Sequence, residues 1–131
     1  MISRKMFMLF LIDFTDFFLK LKGSGYNGGS LDYPGVPFGY NDFHQPYCEI
    51  NNYQDPQEVR NCYLVSLNDI NGGSDYVRGK IADYINDLIN IGVKGFRVDA
   101  SKHMWPGDLE AIQASIEKKN LISNIFREIN N

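Results

Sequence analysis

A helix pattern that ends in a glycine and passes directly into a short strand constrains the fold of this chain most. Ser74 stands where an N-cap is expected, and Gly92 stands where a helix often takes a left-handed C′ residue. Gly95–Asp99 then reads as an apolar strand, which is typical of an α/β unit with parallel strands. The predicted apolar stripe of the helix, at three- and four-residue steps, comprises Val77, Ile81, Tyr84, Ile85, Leu88 and Ile91.

The two faces of the predicted strand carry different chemistry. Phe96 and Val98 share one face and are expected to pack against the helix layer, whereas Arg97 and Asp99 share the other face. An arginine two residues from an aspartate places a positive charge beside the carboxylate and keeps it ionised at neutral pH. An ionised carboxylate suits a nucleophile better than a proton donor. A helix cap or a solvated loop aspartate is the alternative role for Asp99.

Length, charge and cysteine content narrow the class of protein. The chain has 131 residues, a formal net charge of −3 and two cysteines. Acidic and basic residues are mixed without a basic block, so nothing indicates a nucleic-acid partner. No run of about 20 apolar residues is present, so the sequence predicts no membrane span. Cys48 and Cys62 could form one bridge in a secreted chain or remain two free thiols in a cytosolic one.

Both ends of the chain differ in composition from the middle. Residues 1–22 place two basic residues before an apolar stretch, as a secretory signal does, but two aspartates follow without a small-residue cleavage site. We therefore predict an amphipathic or poorly ordered segment there. Residues 23–70 are rich in loop and turn signals, residues 71–116 hold the predicted helices and strand, and residues 118–131 are predicted to be weakly helical.

Two stretches resemble a known enzyme family. Gly95-Phe96-Arg97-Val98-Asp99-Ala100-Ser101-Lys102-His103-Met104-Trp105-Pro106-Gly107-Asp108 resembles the nucleophile strand and following loop of animal-type α-amylases, which belong to glycoside hydrolase family 13. Tyr33-Pro34-Gly35-Val36-Pro37-Phe38 resembles part of the domain that these enzymes insert after the third barrel strand. The resemblance implies an α/β fold, namely a partial (β/α)8 TIM barrel with the tail of an irregular inserted domain.

The resemblance also implies a domain map. Residues 23–70 would belong to the inserted domain B, and residues 71–116 would hold barrel helix 3, strand 4 and the start of helix 4. Residues 1–22 and 117–131 do not match. A complete barrel needs about 250 residues, so we expect a fragment. A single barrel strand would leave its sheet edges and the apolar helix stripe exposed, so we expect the chain to be at best marginally folded.

Individual residues take roles from the same resemblance. Asp99 would be the nucleophile that forms the covalent intermediate of a retaining glycosidase. Lys102 and His103 would contact bound sugar, and Arg97 would bind chloride. No glutamate in the chain stands in the family's acid/base motif, so we expect no starch hydrolysis by the chain alone, because leaving-group protonation is missing.

Calcium and a disulfide follow from the resemblance as well. Asp69 would be a side-chain ligand of Ca²⁺, and Arg60 and His103 would contribute backbone carbonyl oxygens. The remaining family ligand, an upstream asparagine, falls in the non-matching segment, so the calcium and chloride sites would be incomplete. Cys48 and Cys62 would form a disulfide. Trp105 is predicted to pack in the core rather than to face sugar.

The resemblance therefore predicts a secreted enzyme that hydrolyses internal α-1,4-glucosidic bonds of starch and glycogen with retention. The full-length family would be monomeric, and its partners would be α-glucans. Two alternatives stay open. One is a non-catalytic amylase-like module that binds carbohydrate or another protein, although Asp99 and His103 count against it. The other is a gene fragment without function, which the non-matching ends favour.

Overall fold

The computed structural model of the chain describes residues 9–12, 28–65, 67–93, 95–98, 100–116 and 125–127. No helix in this part of the chain is long and apolar enough to cross a membrane. Short 3₁₀ turns lie at Gly28–Ser30, Tyr40–Asp42 and Ser101–His103. The helices and strands are, in chain order, β1 (Leu9–Ile12), α1 (Pro56–Asn61), α2 (Asp75–Asn90), β2 (Gly95–Val98), α3 (Pro106–Ala114) and β3 (Ile125–Arg127).

The three strands form one parallel sheet with β2 in the centre. Leu9 of β1 lies opposite Gly95, and Ile125 of β3 lies opposite Phe96 on the other side. The prediction that residues 118–131 are weakly helical is therefore wrong at β3, and the prediction for residues 1–22 missed β1. Runs of three or four residues are too short for periodicity to distinguish strand from helix. The expectation of a single unpaired strand is also wrong.

The helix α2 begins and ends where the sequence predicts. The Ser74 side chain accepts a backbone N–H of the first turn at 3.4 Å and is the N-cap. At the other end, the Gly92 N–H donates to the Ile89 carbonyl and the Val93 N–H donates to the Leu88 carbonyl, both at 3.0 Å. This pair of bonds is the Schellman motif. Gly92 has a φ of +110°, which only glycine adopts readily.

One hydrophobic core joins α2, the central strand and the loop region that precedes the helices. Phe96 and Val98 of β2 are buried in it, as strand alternation predicts. The loop region contributes the buried rings of Tyr33, Phe38 and Phe43, so it is part of the core rather than a linker. The buried helical members of the cluster and their neighbours are Val77, Ile81, Ile85, Leu88, Ile89, Val93, Ile112 and Ile116.

Ile91 departs from the predicted apolar stripe. It is the C-cap of α2, and 77% of its surface is exposed. The chain leaves the helix at this residue, and the Schellman turn folds Val93 back against Leu88 instead. Val93 therefore takes the core position that helical periodicity assigned to Ile91.

The two glycines of α2 and its cap should respond oppositely to alanine. Gly92→Ala is expected to lower the free energy of unfolding by about 1 kcal/mol, because an L-residue must then adopt a left-handed conformation. Gly79→Ala is the matched control within the helix, where nothing lies within 4 Å of an added Cβ. It should raise stability by about 0.5–1 kcal/mol. Urea unfolding followed by circular dichroism measures both, and losses at both positions would contradict this assignment.

Candidate active site

The loop that follows β2 holds most of the predicted site residues. β2 ends at Val98, and Ala100 adopts the left-handed conformation with φ 50° and ψ 27°. The Ser101–His103 turn is closed by the His103 N–H, which donates to the Ala100 carbonyl at 2.9 Å. Left-handed backbone at a non-glycine residue is unfavourable by about 1–2 kcal/mol and is frequent at functional sites.

Two predicted residues of this region lie outside what the structure describes. Asp99, the predicted nucleophile, is not among the described residues, and neither is the side chain of Arg97, the predicted chloride ligand. Their roles therefore stay predictions. The structure places the residues on either side of Asp99, with β2 before it and the left-handed Ala100 after it.

The ring of His103 is fixed from outside its own loop. Its Nδ1 lies 2.9 Å from the carbonyl oxygen of Val59 in α1. A carbonyl oxygen only accepts, so Nδ1 carries the proton, and Nε2 is left as an acceptor when the ring is neutral. Lys102 is exposed on the same turn. The predicted sugar-contacting pair thus combines one oriented imidazole with one solvent-facing amine.

The helix α1, which holds His103, is not predicted by the sequence pattern. Asp55 is its N-cap and accepts the Gln57 N–H at 2.8 Å, and Pro56 occupies the first helical position. Six residues are too few for an apolar period to stand out. The Asp-Pro pair is a helix-start signal that could have revealed it.

Trp105 lies at the end of the loop between β2 and α3, which we call the site loop, and it contacts α1 at two points. Its Nε1–H donates to Asn61 Oδ1 at 2.9 Å, and the guanidinium carbon of Arg60 lies 4.8 Å from the centre of the indole ring. The second distance is that of a cation–π interaction. Asn61 Nδ2 in turn donates to Gln57 Oε1 at 3.1 Å, which orients the amide. The prediction that Trp105 packs in the core is wrong, because the half-buried side chain borders a cavity.

That cavity lies between α1, the site loop and the segment before α2. Arg60, His103 and Trp105 border it, together with His44 and Asp108. Among the described side chains, Arg60 Nε is buried without a hydrogen-bond partner. The structure thus brings two of the three predicted calcium-ligand residues, Arg60 and His103, to one cavity.

Asp69, the third predicted ligand residue, is not among the residues that line the cavity, but it contacts His44, which is. His44 Nδ1 lies 2.6 Å from Asp69 Oδ2, and the His44 N–H donates to the Asp69 carbonyl at 2.9 Å. Burial raises the pKa of Asp69, while the hydrogen bond from His44 and the electrostatic interactions with His44 and His103 oppose that rise. Sequence reasoning missed His44, because no local signal joins residues 25 positions apart.

Cys48 and Cys62 form the predicted disulfide. The bridge begins directly after Asn61, so it holds the end of α1 that contacts Trp105. The Tyr63 N–H donates to the Cys48 carbonyl at 2.7 Å beside it. In the loop-entropy model, a loop of this length contributes about 3 kcal/mol to stability.

The predicted calcium donors are all oxygens. No group of three or more His, Cys, Asp or Glu side chains within the described residues could hold a metal ion. A set made of the Asp69 carboxylate and the main-chain carbonyls of Arg60 and His103 does suit a hard cation such as Ca²⁺. It supplies fewer than the roughly 6–8 oxygens that Ca²⁺ takes. The residues therefore fit the ion in donor type and fall short in number.

Comparison with solved structures defines the class of protein. α-Amylase I from Eisenia fetida is 46% identical, with a TM-score of 0.66 over 81% of this chain and 22% of that one. A variant of the same enzyme, solved with maltohexaose, gives a TM-score of 0.67. These neighbours have the TIM-barrel fold of glycoside hydrolases, and the parallel sheet and helices described above are consistent with a part of such a barrel.

Comparison with curated proteins gives the family. The α-amylase of Tribolium castaneum is 57% identical over 103 residues, and human α-amylase 1B is 52% identical over 111 residues. The matches cover 75% and 81% of this chain but only 21% of each relative. The chain thus belongs to the animal α-amylase family, as its motifs predict, and spans about one fifth of the length of these relatives. No protein-family profile matches the chain.

The contact between Asn61 and Trp105 can be tested by fluorescence, because Trp105 is the single tryptophan. Asn61→Ala removes the acceptor of the indole N–H, a hydrogen bond that contributes about 1 kcal/mol. We expect the emission maximum to shift to the red and acrylamide quenching to increase. Gln54→Ala, at an exposed residue in the turn before α1, should leave both unchanged. An unchanged spectrum in Asn61→Ala would contradict the contact.

Proposed function

We propose that this chain supplies the nucleophile strand and part of the substrate site of an α-amylase. The reaction would be internal hydrolysis of α-1,4-glucosidic bonds in starch and glycogen with retention of configuration. The observation that supports it most is the 52–57% identity to curated α-amylases over three quarters or more of the chain. The fixed geometry of the loop after β2 agrees with this proposal.

Asp99 is the proposed nucleophile of this reaction. Its carboxylate would attack the anomeric carbon, and the glycosidic oxygen would leave with a proton from an acid/base group that we do not assign to this chain. Water would then release the sugar from the covalent intermediate by a second inversion, which gives net retention. Strand alternation puts Arg97 on the same face, where its charge would keep Asp99 ionised and could bind chloride.

His103 and Lys102 are the proposed contacts to the sugar. The proton on Nδ1 of His103 is committed to the Val59 carbonyl, so Nε2 would accept a sugar hydroxyl. The Lys102 amine would donate to another hydroxyl. The maltohexaose complex of the Eisenia fetida enzyme supports an α-glucan as the ligand class. The disulfide supports an oxidising compartment, as expected of a secreted protein.

An activated substrate can test Asp99 as the nucleophile without requiring an acid/base group to protonate the leaving group. Fluoride is a leaving group that departs without being protonated. 5-Fluoro-α-glucosyl fluoride should therefore form a covalent adduct on the peptide that carries Asp99. Mass spectrometry of the digested chain detects it, and starch should give no measurable reducing sugar. Asp99→Asn should abolish the adduct, and Asp87→Asn, at an exposed residue of α2, should not.

Two results would count against this role for Asp99. An adduct that persists in Asp99→Asn would place the nucleophile elsewhere. Binding of maltohexaose without any adduct in the unaltered chain would favour a non-catalytic carbohydrate-binding module.

The calcium site is proposed to bind weakly. Asp69 would bind through its carboxylate, and Arg60 and His103 through main-chain oxygens, with fewer donors than Ca²⁺ prefers. Titration calorimetry should give a dissociation constant weaker than micromolar. Asp69→Asn should weaken binding further, whereas Asp83→Asn, an exposed change on α2, should not. Micromolar or tighter binding would contradict the incomplete site.

A further inference from the structure

Two tyrosine rings stand on the surface of the segment between the second 3₁₀ turn and the disulfide. Tyr40 and Tyr47 are each 58% exposed, and Gln45 and Pro46 between them are exposed as well. We call Tyr40, Gln45 and Tyr47 the tyrosine platform. Both rings leave apolar area in contact with water, which is unfavourable unless a ligand covers it.

The platform is oriented by contacts beneath and beside it. The Tyr40 hydroxyl donates to Gln45 Oε1 at 3.1 Å. The ring of Tyr47 meets the buried ring of Tyr63 edge-on, with centroids 4.8 Å apart and planes at 74°. The Tyr47 hydroxyl also bonds to the carboxylate of Glu49. Rings fixed in this way lose little conformational entropy when a ligand packs on them.

Gln45 and its neighbour His44 link the two sides of the platform. The Gln45 side chain accepts from the Tyr40 hydroxyl, and the His44 carbonyl accepts at 3.5 Å from the hydroxyl of Tyr63, the ring on which Tyr47 rests. The backbone below is held where the His44 N–H donates to the Asp69 carbonyl at 2.9 Å. The platform is therefore a connected unit, and it adjoins the His44–Asp69 pair at the edge of the candidate active site.

Charge restricts the ligand class. The sequence from Gly23 to Val59 contains no lysine or arginine, whereas Asp42 and Glu49 lie next to the platform. Anionic ligands such as nucleic acid, phosphate esters or acidic lipids would be repelled. A neutral polyhydroxyl ligand fits, because the apolar face of a sugar ring can pack on an aromatic ring while its hydroxyls bond to phenol and carboxylate oxygens. A quaternary ammonium is the other ligand that such rings attract.

We propose that the tyrosine platform is a second binding surface for α-glucan chains, separate from the residues that would carry out hydrolysis. The choice of an α-glucan rests on the proposed function, whereas the choice of a neutral sugar rests on the rings and charges. The platform would hold a glucan chain by stacking, and it would contribute affinity rather than chemistry.

The test measures binding of maltohexaose to the full 131-residue chain by titration calorimetry. Tyr40→Ala and Tyr47→Ala should each weaken binding about three- to tenfold, as expected for one lost aromatic contact. Tyr40→Phe, which keeps the ring, should stay within about twofold of the unaltered chain. Tyr76→Ala makes the same type of change at an exposed tyrosine on α2 and should have no effect. Unchanged Trp105 emission in each variant checks that the fold is retained.

The outcomes separate the platform from the proposed function. Lys102→Ala alters the proposed catalytic site. Weaker maltohexaose binding in Lys102→Ala, with unaltered binding in both platform variants, would overturn the platform and leave the proposed function in place. Weakening in the platform variants alone would support the platform and count against the proposed role of Lys102. Competition by choline, equal affinity for cellohexaose, or no binding of maltohexaose to the unaltered chain would each overturn the platform.

Discussion

The burial of Phe96 and Val98 beneath α2 is the packing on which the rest of the structure depends. Full burial of such side chains stabilises a fold by about 1.5–3 kcal/mol each. The Schellman motif at Gly92 turns the chain back directly after the helix, so β2 starts within a few residues and runs under it. In parallel β/α folds the active site lies at the edge of the sheet formed by the carboxyl ends of the strands. The turn at Ser101–His103 lies at that edge as a direct consequence.

The site loop is supported from a distant part of the sequence rather than by the sheet alone. Val59 fixes the imidazole of His103, and Asn61 fixes the indole of Trp105, so α1 sets the orientation of both rings. A helix of six residues is not stable in isolation. Its ends are held instead by the Asp55 cap and by the disulfide at Cys62. The geometry around the candidate active site thus depends on a covalent closure in the loop region.

Local signals predicted the parts of the fold that local interactions determine. The cap at Ser74 and the left-handed glycine at Gly92 each act within one turn of helix, and both predictions are confirmed. Ile91 was misplaced because the Schellman turn, and not the helical period, decides where the chain re-enters the core. The outer strands could not be predicted, because a strand of three or four residues exists only through its partner.

The candidate site shows the same division between local and long-range interactions. The motif around Asp99 indicated the family, and the comparisons confirm that family. The pairs that shape the cavity, His44 with Asp69 and Asn61 with Trp105, are 25 and 44 residues apart, and no spacing rule connects them. Such pairs can be identified only in the folded structure. Their residue types are common on protein surfaces, and the contacts between them form only on folding.

Arg60 combines a main-chain oxygen proposed as a cation ligand with a positively charged side chain. As proposed, its main-chain oxygen would bind Ca²⁺, although a positive side chain close to that ion would be repelled by several kcal/mol at about 4 Å. Stacking on Trp105 holds the guanidinium against the electron-rich face of the indole. The buried Nε without a partner opposes this arrangement by about 1–3 kcal/mol. A lysine would not stack in the same way, because its ammonium lacks the planar surface that lies flat against the ring.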